Sequence, residues 1–485
     1  RNELRSRHGN IWPIFFDFTH FRKRNRVQII MPIGGIALGT GLGGGTSATS
    51  SGAPGGGGGG GTPFIIYEIN NSGTTFVLRS NGTVDYTVDW GDGNSETSTS
   101  NALSHTYSAG TYTLKISSDI AYGPDFAASG DEDQITSVEV EAGIDLGTTL
   151  HSAWNGAQNM TAFTASSATS TVTVFGNSFM KCSGLTSFPL IDTSSGTDFS
   201  RAWQQCGGLT SFSVLDTSSG TNFSQAWYLC TSLTSFPLID TSSGTTFVDT
   251  WRQMTSLTSF PLIDVSNGTN FTQAWYGCSS LTSFPTLGTS SGTNFYQAWY
   301  GCSSLTSFPL LNTSSGTNFK NAWYSCSGLT SFAAIDTSSG TNFYQAWRGC
   351  SSLTSFPTLD TSSGTDFYRA WYYVNGIGSF PSLDFSSGTS FKGAWLYCGS
   401  VTFPANLFDT TGTLTATAFT NGWLNGGLSA QSIENILVSL DTNTASNVGL
   451  SLSGGTNAAK STWSVAAIAA YDSLIVKSWS ITFNP

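Results

Sequence analysis

A chain of 485 residues with 10 % charged side chains, 55 glycines and a net charge of −11 has the length of two or three ordinary domains or of one long repeat array. Ordinary globular domains carry about 25 % charged residues, so this composition favours an array whose surface is built from hydroxyls and amides. Residues 1–30 hold seven of the 18 basic and two of the 29 acidic residues, leaving 11 basic against 27 acidic, or −16, on residues 31–485; an acidic body without a basic stripe argues against nucleic-acid binding through phosphates.

The segment "FRKRNRV" (Phe21–Val27) interrupts any apolar run near the N-terminus, so it reads as neither a secretory signal nor a membrane span. Composition changes abruptly at Met31. Two readings stand: Met31 is the start and residues 1–30 are a gene-model extension, or residues 1–30 are a basic arm for an acidic partner. Residues 34–62 are rich in Gly, Ser, Thr and Ala and end in "GAPGGGGGGGTP", the composition of a flexible tether. Residues 1–62 therefore read as a leader and tether.

From Phe64 short alternating runs ("FIIYEI", "TTFVLRS", "VDYTVDW", "TYTLKIS") separated by Gly, Asn and Asp predict strands. "VDWGDG" (Val88–Gly93) followed by "HTYSAGTYTLKI" (His105–Ile116) resembles the PKD-type immunoglobulin-like domain, and that resemblance implies a small β-sandwich over 63–118. The match is shorter than a full domain of that type, so a strand is missing or the sheet continues into the next module. Asp85, Asp89 and Asp92 fit either a calcium cluster or a tight Asp/Gly turn, and the turn is the simpler reading. Residues 119–150 read as a connector and N-terminal cap.

Beyond residue 150 the chain is periodic. Trp203, Trp227, Trp251, Trp275, Trp299, Trp323, Trp347, Trp371 and Trp395 are each 24 residues apart, with Trp154, Phe179 and Trp423 as degenerate copies at the ends. Such a period predicts one structural unit stacked as a solenoid over 151–425, closed by a capping unit over 426–485. In the unit Gly292–Leu311, Gly292 is expected to supply a backbone position with positive φ. Thr293 and Asn294 are expected to cap a short helix that buries Phe295, Ala298, Trp299, Cys302 and Leu305. "LTSFP" is expected to add one short strand ending at Pro309. The predicted fold is thus a mixed α/β solenoid, a leucine-rich-repeat-like array of parallel strands and short helices.

All eight cysteines fall in one column: Cys182, Cys206, Cys230, Cys278, Cys302, Cys326, Cys350 and Cys398, with Met254 and Val374 filling the gaps. A position that accepts Cys, Met or Val reads as a buried apolar slot; disulfides between coils or a metal site are the alternatives, and no Cys-x-x-Cys pair is present. No metal and no cofactor is expected.

The wording "DTSSGTNFYQAWYGCSSLTSF" (Asp/Gly/Asn at the first position in different units) resembles the repeat of BspA-like leucine-rich-repeat surface proteins, with Phe and Ala-Trp in place of that family's Met residues. The PKD-like words, the Gly130-Asp131 connector and the tail "LSAQSIENILVSLDT" extend the resemblance to residues 64–485. It implies a surface- or virion-attached recognition protein of a bacterium or phage, such as a cell-surface adhesin or a tail fibre, with no enzymatic activity in the repeat.

Candidate sites follow from what varies. Tyr recurs at 296, 344 and 368 after the repeat Phe, and at 228, 276, 300, 324 and 372 after the repeat Trp. On a helix, Tyr296/Tyr300 and Tyr368/Tyr372 would share a stripe, with Arg252, Arg348, Lys320 or Lys392 nearby. That stripe is a candidate surface for a host or cell-surface protein or glycan; the alternative is that the rings cover neighbouring coils. The Thr and Ser of "LTSF" form the other candidate face, which would suit ice or a crystalline surface. The Asp192, Asp216, Asp240, Asp264, Asp336, Asp360 and Asp384 column reads as a cation ladder or as Asp bonding its own turn, and a glycan hydrolase built on paired carboxylates is a third, weaker class of function. The expected partners include no nucleic acid and no inserted membrane, and trimerisation through the N-terminal region is an open expectation.

Overall fold

The computed structural model describes residues 63–126, 131–165 and 169–485. The leader and tether, the Met31 start, the N-terminal oligomerisation and Gly130 of the connector lie outside the described residues.

The first described strands are β1 (Ile65–Ser72), β2 (Thr75–Arg79), β3 (Tyr86–Asp89), β4 (Ser95–Ser98), β5 (Ala102–Thr106) and β6 (Ala109–Ser117). In β1 the alternation predicted from the sequence is realised: Ile65, Tyr67 and Ile69 are fully buried while Glu68 and Asn70 face outward. The sheet does not stop at residue 118. β7 (Ile135–Val140) pairs antiparallel with β1, and β8 (Ala162–Ala165) pairs parallel with β7, giving one six-stranded sheet in the order β4-β3-β6-β1-β7-β8. In place of the expected sandwich of two comparable sheets there is this one sheet and a separate two-stranded ribbon, β2 with β5. Phe126 joins them, its ring 5.8 Å from that of Tyr67 and 6.1 Å from that of Phe76. β8 carries the core onward, because Phe163 packs 4.8 Å from Trp154 and 4.8 Å from Phe179.

The 24-residue array that follows corrects the predicted α/β solenoid. Among the described residues the two α-helices, α1 (Ala430–Asp441) and α2 (Val465–Val476), both lie beyond the array. Where each unit was expected to be helical, it instead makes two tight turns that each pass through a left-handed residue: Gln297 at φ 54° and Gly301 at φ 72°, with equivalents such as Gln273/Gly277, Asn321/Ser325 and Gln345/Gly349. A helix tolerates no such reversal. The backbone bonding follows suit. Ala298, Tyr300 and Cys302 donate their N–H groups three residues back, to Phe295, Gln297 and Trp299, while Phe295, Gln297, Trp299 and Gly301 donate to Asn318, Lys320, Ala322 and Tyr324 of the next unit. Alternate N–H groups therefore close turns and tie coils together.

Two successive four-residue turns place side chains four apart on one side, which is why the buried set matched a helical period. Phe295, Ala298, Trp299, Cys302 and Leu305 are all fully buried, as foreseen, although no helix presents them. Asn294, expected to cap a helix, accepts from the Tyr296 N–H in a local turn.

The expected continuous parallel sheet is also absent. The "LTSF" segments pair as two-residue parallel strands only at β9 (Ser187–Phe188) with β10 (Ser211–Phe212) and β11 (Ser307–Phe308) with β12 (Ser331–Phe332). Other coils are joined by single bridges such as Asn294↔Asn318 and Ser259↔Ser283. Proline separates the cases through the later strand of each pair: β10 and β12 are followed by Ser213 and Ala333, which keep an N–H, whereas β9, β11 and other segments are followed by Pro189, Pro309, Pro237, Pro261, Pro285 or Pro357, which have none to donate to the coil before. Neither a helical layer nor a continuous sheet closes the array into the solenoid that was expected.

Gly292 also plays a different part from the one expected. Gly292 and its repeat mates are missing from the left-handed residues; a Cβ on Gly292 would lie 2.6 Å from the Phe295 ring and 3.0 Å from that of Phe271. The position needs Gly because two stacked Phe rings lie against the backbone.

After the array, β13 (Gly449–Leu452) pairs parallel with β14 (Ser480–Phe483), and α1 packs against α2. Each helix is capped by a serine, Ser429 accepting from Ser432 N–H and Ser464 from Ala467 N–H. The bridge Phe419↔Leu450 joins this unit to the array.

Candidate functional site

The turn segments carry the Tyr residues outward in two columns. In the first, neighbouring coils stack Tyr276 on Tyr300 at 4.6 Å and Tyr300 on Tyr324 at 4.5 Å, with ring planes 7° apart in each pair. Arg252 lies between Tyr228 and Tyr276, its guanidinium 5.3 and 4.7 Å from the ring centres, and Arg348 lies between Tyr324 and Tyr372 at 5.0 and 4.6 Å. The column thus reads Tyr228, Arg252, Tyr276, Tyr300, Tyr324, Arg348, Tyr372 without a break. In the second column Lys320 lies between Tyr296 and Tyr344 at 6.0 and 4.8 Å, and Tyr344 stacks on Tyr368 at 4.7 Å. Arg369 reaches both columns, 5.0 Å from Tyr368 and 5.4 Å from Tyr372.

All eight Tyr residues are half-buried. Both faces of Tyr300 are covered by neighbours, so what such a ring offers to solvent is its edge. Burial, reinforced by Tyr324 and Tyr276, pushes the Tyr300 phenol up to about 12, and Tyr344 and Tyr372 are raised for the same first reason. Three successive phenols, Tyr276, Tyr300 and Tyr324, thus stand between the guanidinium groups of Arg252 and Arg348.

An amide ladder runs along the same segments. Arg201 Nε donates to Gln225 at 2.6 Å, Gln225 to Asp249 at 3.2 Å, and Gln273 to Gln297 at 2.7 Å; Arg252 donates to both Asp249 and Gln273 at 3.1 Å. The basic residues of the array concentrate here. Residues 151–425 hold seven (Lys181, Arg201, Arg252, Lys320, Arg348, Arg369 and Lys392), and all seven fall in the turn segments between the repeat Phe and the column of Cys, Met254 and Val374. The sequence showed the residues as merely near the tyrosines; their insertion between rings comes from the coil-on-coil register.

Behind the ridge the core is dry and aromatic. Trp203, Trp227, Trp251, Trp275, Trp299, Trp323, Trp347, Trp371 and Trp395 are at most 1 % exposed, and consecutive indoles stack, as Trp275 on Trp299 at 5.5 Å and 5°. Phe308 stands across Trp299 at 4.9 Å and 78°. Cys206, Cys230, Cys278, Cys302, Cys326 and Cys350, with Cys182 and Cys398, are free buried thiols. Each donates to a Trp or Phe carbonyl one coil back, for example Cys326 to Trp299 at 3.0 Å and Cys206 to Phe179 at 3.0 Å. Burial pushes the Cys206, Cys278, Cys350 and Cys398 thiols up to about 12 and holds Cys182, Cys230, Cys302 and Cys326 well above the usual thiol range. Thiols held so firmly in the neutral form are packing groups.

The remaining polar candidates are engaged locally. Asp192, Asp216, Asp336 and Asp360 each accept both the N–H and the hydroxyl of the serine two residues on. Asp89 accepts from Gly91 N–H and Asp92 from Asn94 N–H, as turn residues do, and Asp92 also bonds His105 at 2.8 Å, which draws its carboxyl below the usual range. His105 stacks on Trp90 at 4.8 Å. No group of three or more His, Cys, Asp or Glu side chains that could hold a metal ion occurs among the described residues. The Thr ladder of "LTSF" is exposed, but its hydroxyls donate inward along the array, Thr306 to the Thr282 carbonyl and Thr330 to that of Thr306.

Sequence reasoning missed two surface tyrosines. Tyr373 and Tyr397 stand where other units have Gly277, Gly301 or Gly349, and they are 45 % and 37 % exposed. That column varies from unit to unit, holding Gln205, Leu229, Gln253 and Ser325 elsewhere, so the signal was only the pair of successive tyrosines.

Among the described residues no helix is long and apolar enough to cross a membrane. The chain matches no protein-family model, and no curated protein is similar to it at a significant level.

Proposed function

We propose that the chain is a recognition protein displayed at a surface, bacterial envelope or virion, which binds a protein or glycan partner along the Tyr, Arg and Lys ridge and catalyses nothing. The observation that carries this reading is the unbroken Tyr228–Arg252–Tyr276–Tyr300–Tyr324–Arg348–Tyr372 stack. It spans seven coils, roughly 30 Å at the spacing of paired strands. A core needs no such column on its outside. Tyr and Arg are the residue types that dominate binding energy at interfaces, and side chains already held in a stack lose little further freedom on binding. Because the ring faces are occupied, contact would be made by ring edges, hydroxyls and guanidinium groups, which suits a broad polar surface met by many weak contacts.

The test is a glycan array together with a pull-down from cell-surface extracts. Wild-type chain is compared with the triple variant Tyr276→Ala/Tyr300→Ala/Tyr324→Ala and the double variant Arg252→Ala/Arg348→Ala. Ligands captured by the wild type should be lost or weakened at least tenfold in both variants; capture undiminished in both removes the ridge as the binding surface.

A further inference from the structure

A second site, apart from the ridge faces, lies at the C-terminal end of the array. Tyr373 and Tyr397 occupy the left-handed position of two successive coils, at φ 62° and 59°. Other units hold Gly277, Gly301 and Gly349 there, at φ 71°, 72° and 76°, or Gln205, Leu229, Gln253 and Ser325, at φ 58–64°, so the left-handed backbone belongs to the repeat and does not itself require tyrosine. What sets these two units apart is the pair of large rings they place side by side at the surface, 45 % and 37 % exposed. Neither ring is recovered into the core. The two lie 5.0 Å apart at 34°, and Tyr372 closes the group at 5.0 Å from Tyr373 and 5.7 Å from Tyr397.

Tyr373 and Tyr397 line a shallow cleft of about 380 Å³, within the ~300–1,000 Å³ of small-molecule sites. Gly399, Gly426, Gly427 and Gly455 line it as well and add no side chains. The remaining lining is neutral: Asn375, Ser400, Asn425 and Thr456, which can hydrogen-bond, and the edge of Cys398. The repeat is irregular around it. Asn375-Gly376 replaces the usual Ser-Ser or Ser-Gly pair, and Trp395 to Trp423 is 28 residues rather than 24.

We infer that the Tyr373/Tyr397 cleft binds a neutral pyranose unit of a saccharide. A sugar ring has an apolar C–H face that packs on tyrosine, and a rim of hydroxyls that pairs with amide, hydroxyl and backbone groups. The cleft supplies both and no charged side chain. Tyr373 and Tyr397 keep 45 % and 37 % of their surface exposed, in contrast with the half-buried ridge, where stacking covers both faces of Tyr300.

The full chain is titrated with soluble neutral tetrasaccharides of glucose, galactose, mannose and N-acetylglucosamine, read by saturation-transfer NMR and calorimetry. At least one should bind, and Tyr373→Gly and Tyr397→Gly should each weaken it tenfold or more. Both variants should keep the wild-type Tm or exceed it, because Gly suits the backbone at these positions. Leu262→Ala, on the exposed aliphatic column outside both sites, should leave binding unchanged, whereas loss of binding in Tyr276→Ala/Tyr300→Ala/Tyr324→Ala with the Gly variants unaffected would assign the saccharide to the ridge and overturn the cleft, so the two readings fail separately. The inference is overturned if no tetrasaccharide binds at millimolar concentration, if the Gly variants bind like wild type, or if they lose stability, which would make the rings structural supports.

Discussion

The Cys302 thiol donates to the Trp275 carbonyl oxygen one coil back, across 3.3 Å, while the Trp275 indole stacks on Trp299 at 5.5 Å. Sulfur and indole columns thus stitch neighbouring coils at the same level, and the thiol is a donor that a coil of Ala or Val would lack.

Cys302→Ala should lower the stability by about 1–3 kcal/mol, combining a small cavity with a carbonyl left with one partner fewer. Cys302→Val should cost less, since Val374 already fills the same column, fully buried. Equilibrium urea unfolding of both variants checks the order. Iodoacetamide should label none of the eight thiols in the folded chain at mildly alkaline pH and all eight in denaturant, read by mass spectrometry.

Gly292→Ala separates two reasons for a repeated glycine. Its methyl would meet the Phe295 ring at 2.6 Å, so the substitution should destabilise by about 1–3 kcal/mol although the backbone angle suits alanine. Gly301→Val should also destabilise, through φ alone, by roughly 1–2 kcal/mol. A smaller residue at Phe295 should recover part of the loss when combined with Gly292→Ala and none when combined with Gly301→Val. Thermal unfolding of these variants reads the difference.

How much of this was legible in the sequence depends on what the period encodes. The 24-residue spacing of Trp299 and its mates gave the stacking and the buried set, because burial follows hydrophobicity and repetition. It could not distinguish a helix from two turns, since Phe295 and Trp299 are four apart in either. The deciding residues were Gln297 and Gly301, and Gln carries no left-handed signature in one sequence. The strand was overestimated for a reason that was visible: Pro309 and its equivalents remove the donor a parallel ladder needs. The tyrosines of the ridge were readable as a column, whereas the intercalation of Arg252 and Arg348 required the register between coils.

On the ridge, Arg348→Ala removes the cation between Tyr324 and Tyr372 and should cost about 0.5–1 kcal/mol of stability, while Arg348→Lys should recover part of it. Both are measurable by urea unfolding, and neither should alter the near-UV circular dichroism of the buried Trp column.

Asp366 provides a pH test. Burial raises its carboxyl above the usual range, against the bond it accepts from Tyr368 N–H. The folded chain therefore holds this proton more tightly than the unfolded chain, whose Asp titrates near 3.9. Stability from this group is intact below about 3.9 and falls as pH rises through the folded value. Asn is the native residue of the same column at 294, 318 and 342. Asp366→Asn should accordingly stabilise the chain at neutral pH and lose that advantage in acid. Asp240 and Asp360 run the other way: hydrogen bonds from Ser242 and Ser362 lower them, so their contribution is present above about 3.9 and disappears as pH falls through their folded values. Unfolding of Asp366→Asn and Asp360→Asn across acid to neutral pH checks the two opposite slopes.

The most direct measurement is hydroxyl-radical footprinting of the chain free and captured on the cell surface or particle that retains it. Protection should concentrate on Tyr276, Tyr300, Tyr324, Tyr344 and Tyr368, with the exposed aliphatic column of Leu190, Leu238, Leu262 and Leu310 labelled equally in both states. Protection of that aliphatic column, with the ridge tyrosines labelled as in the free chain, would contradict recognition through the ridge.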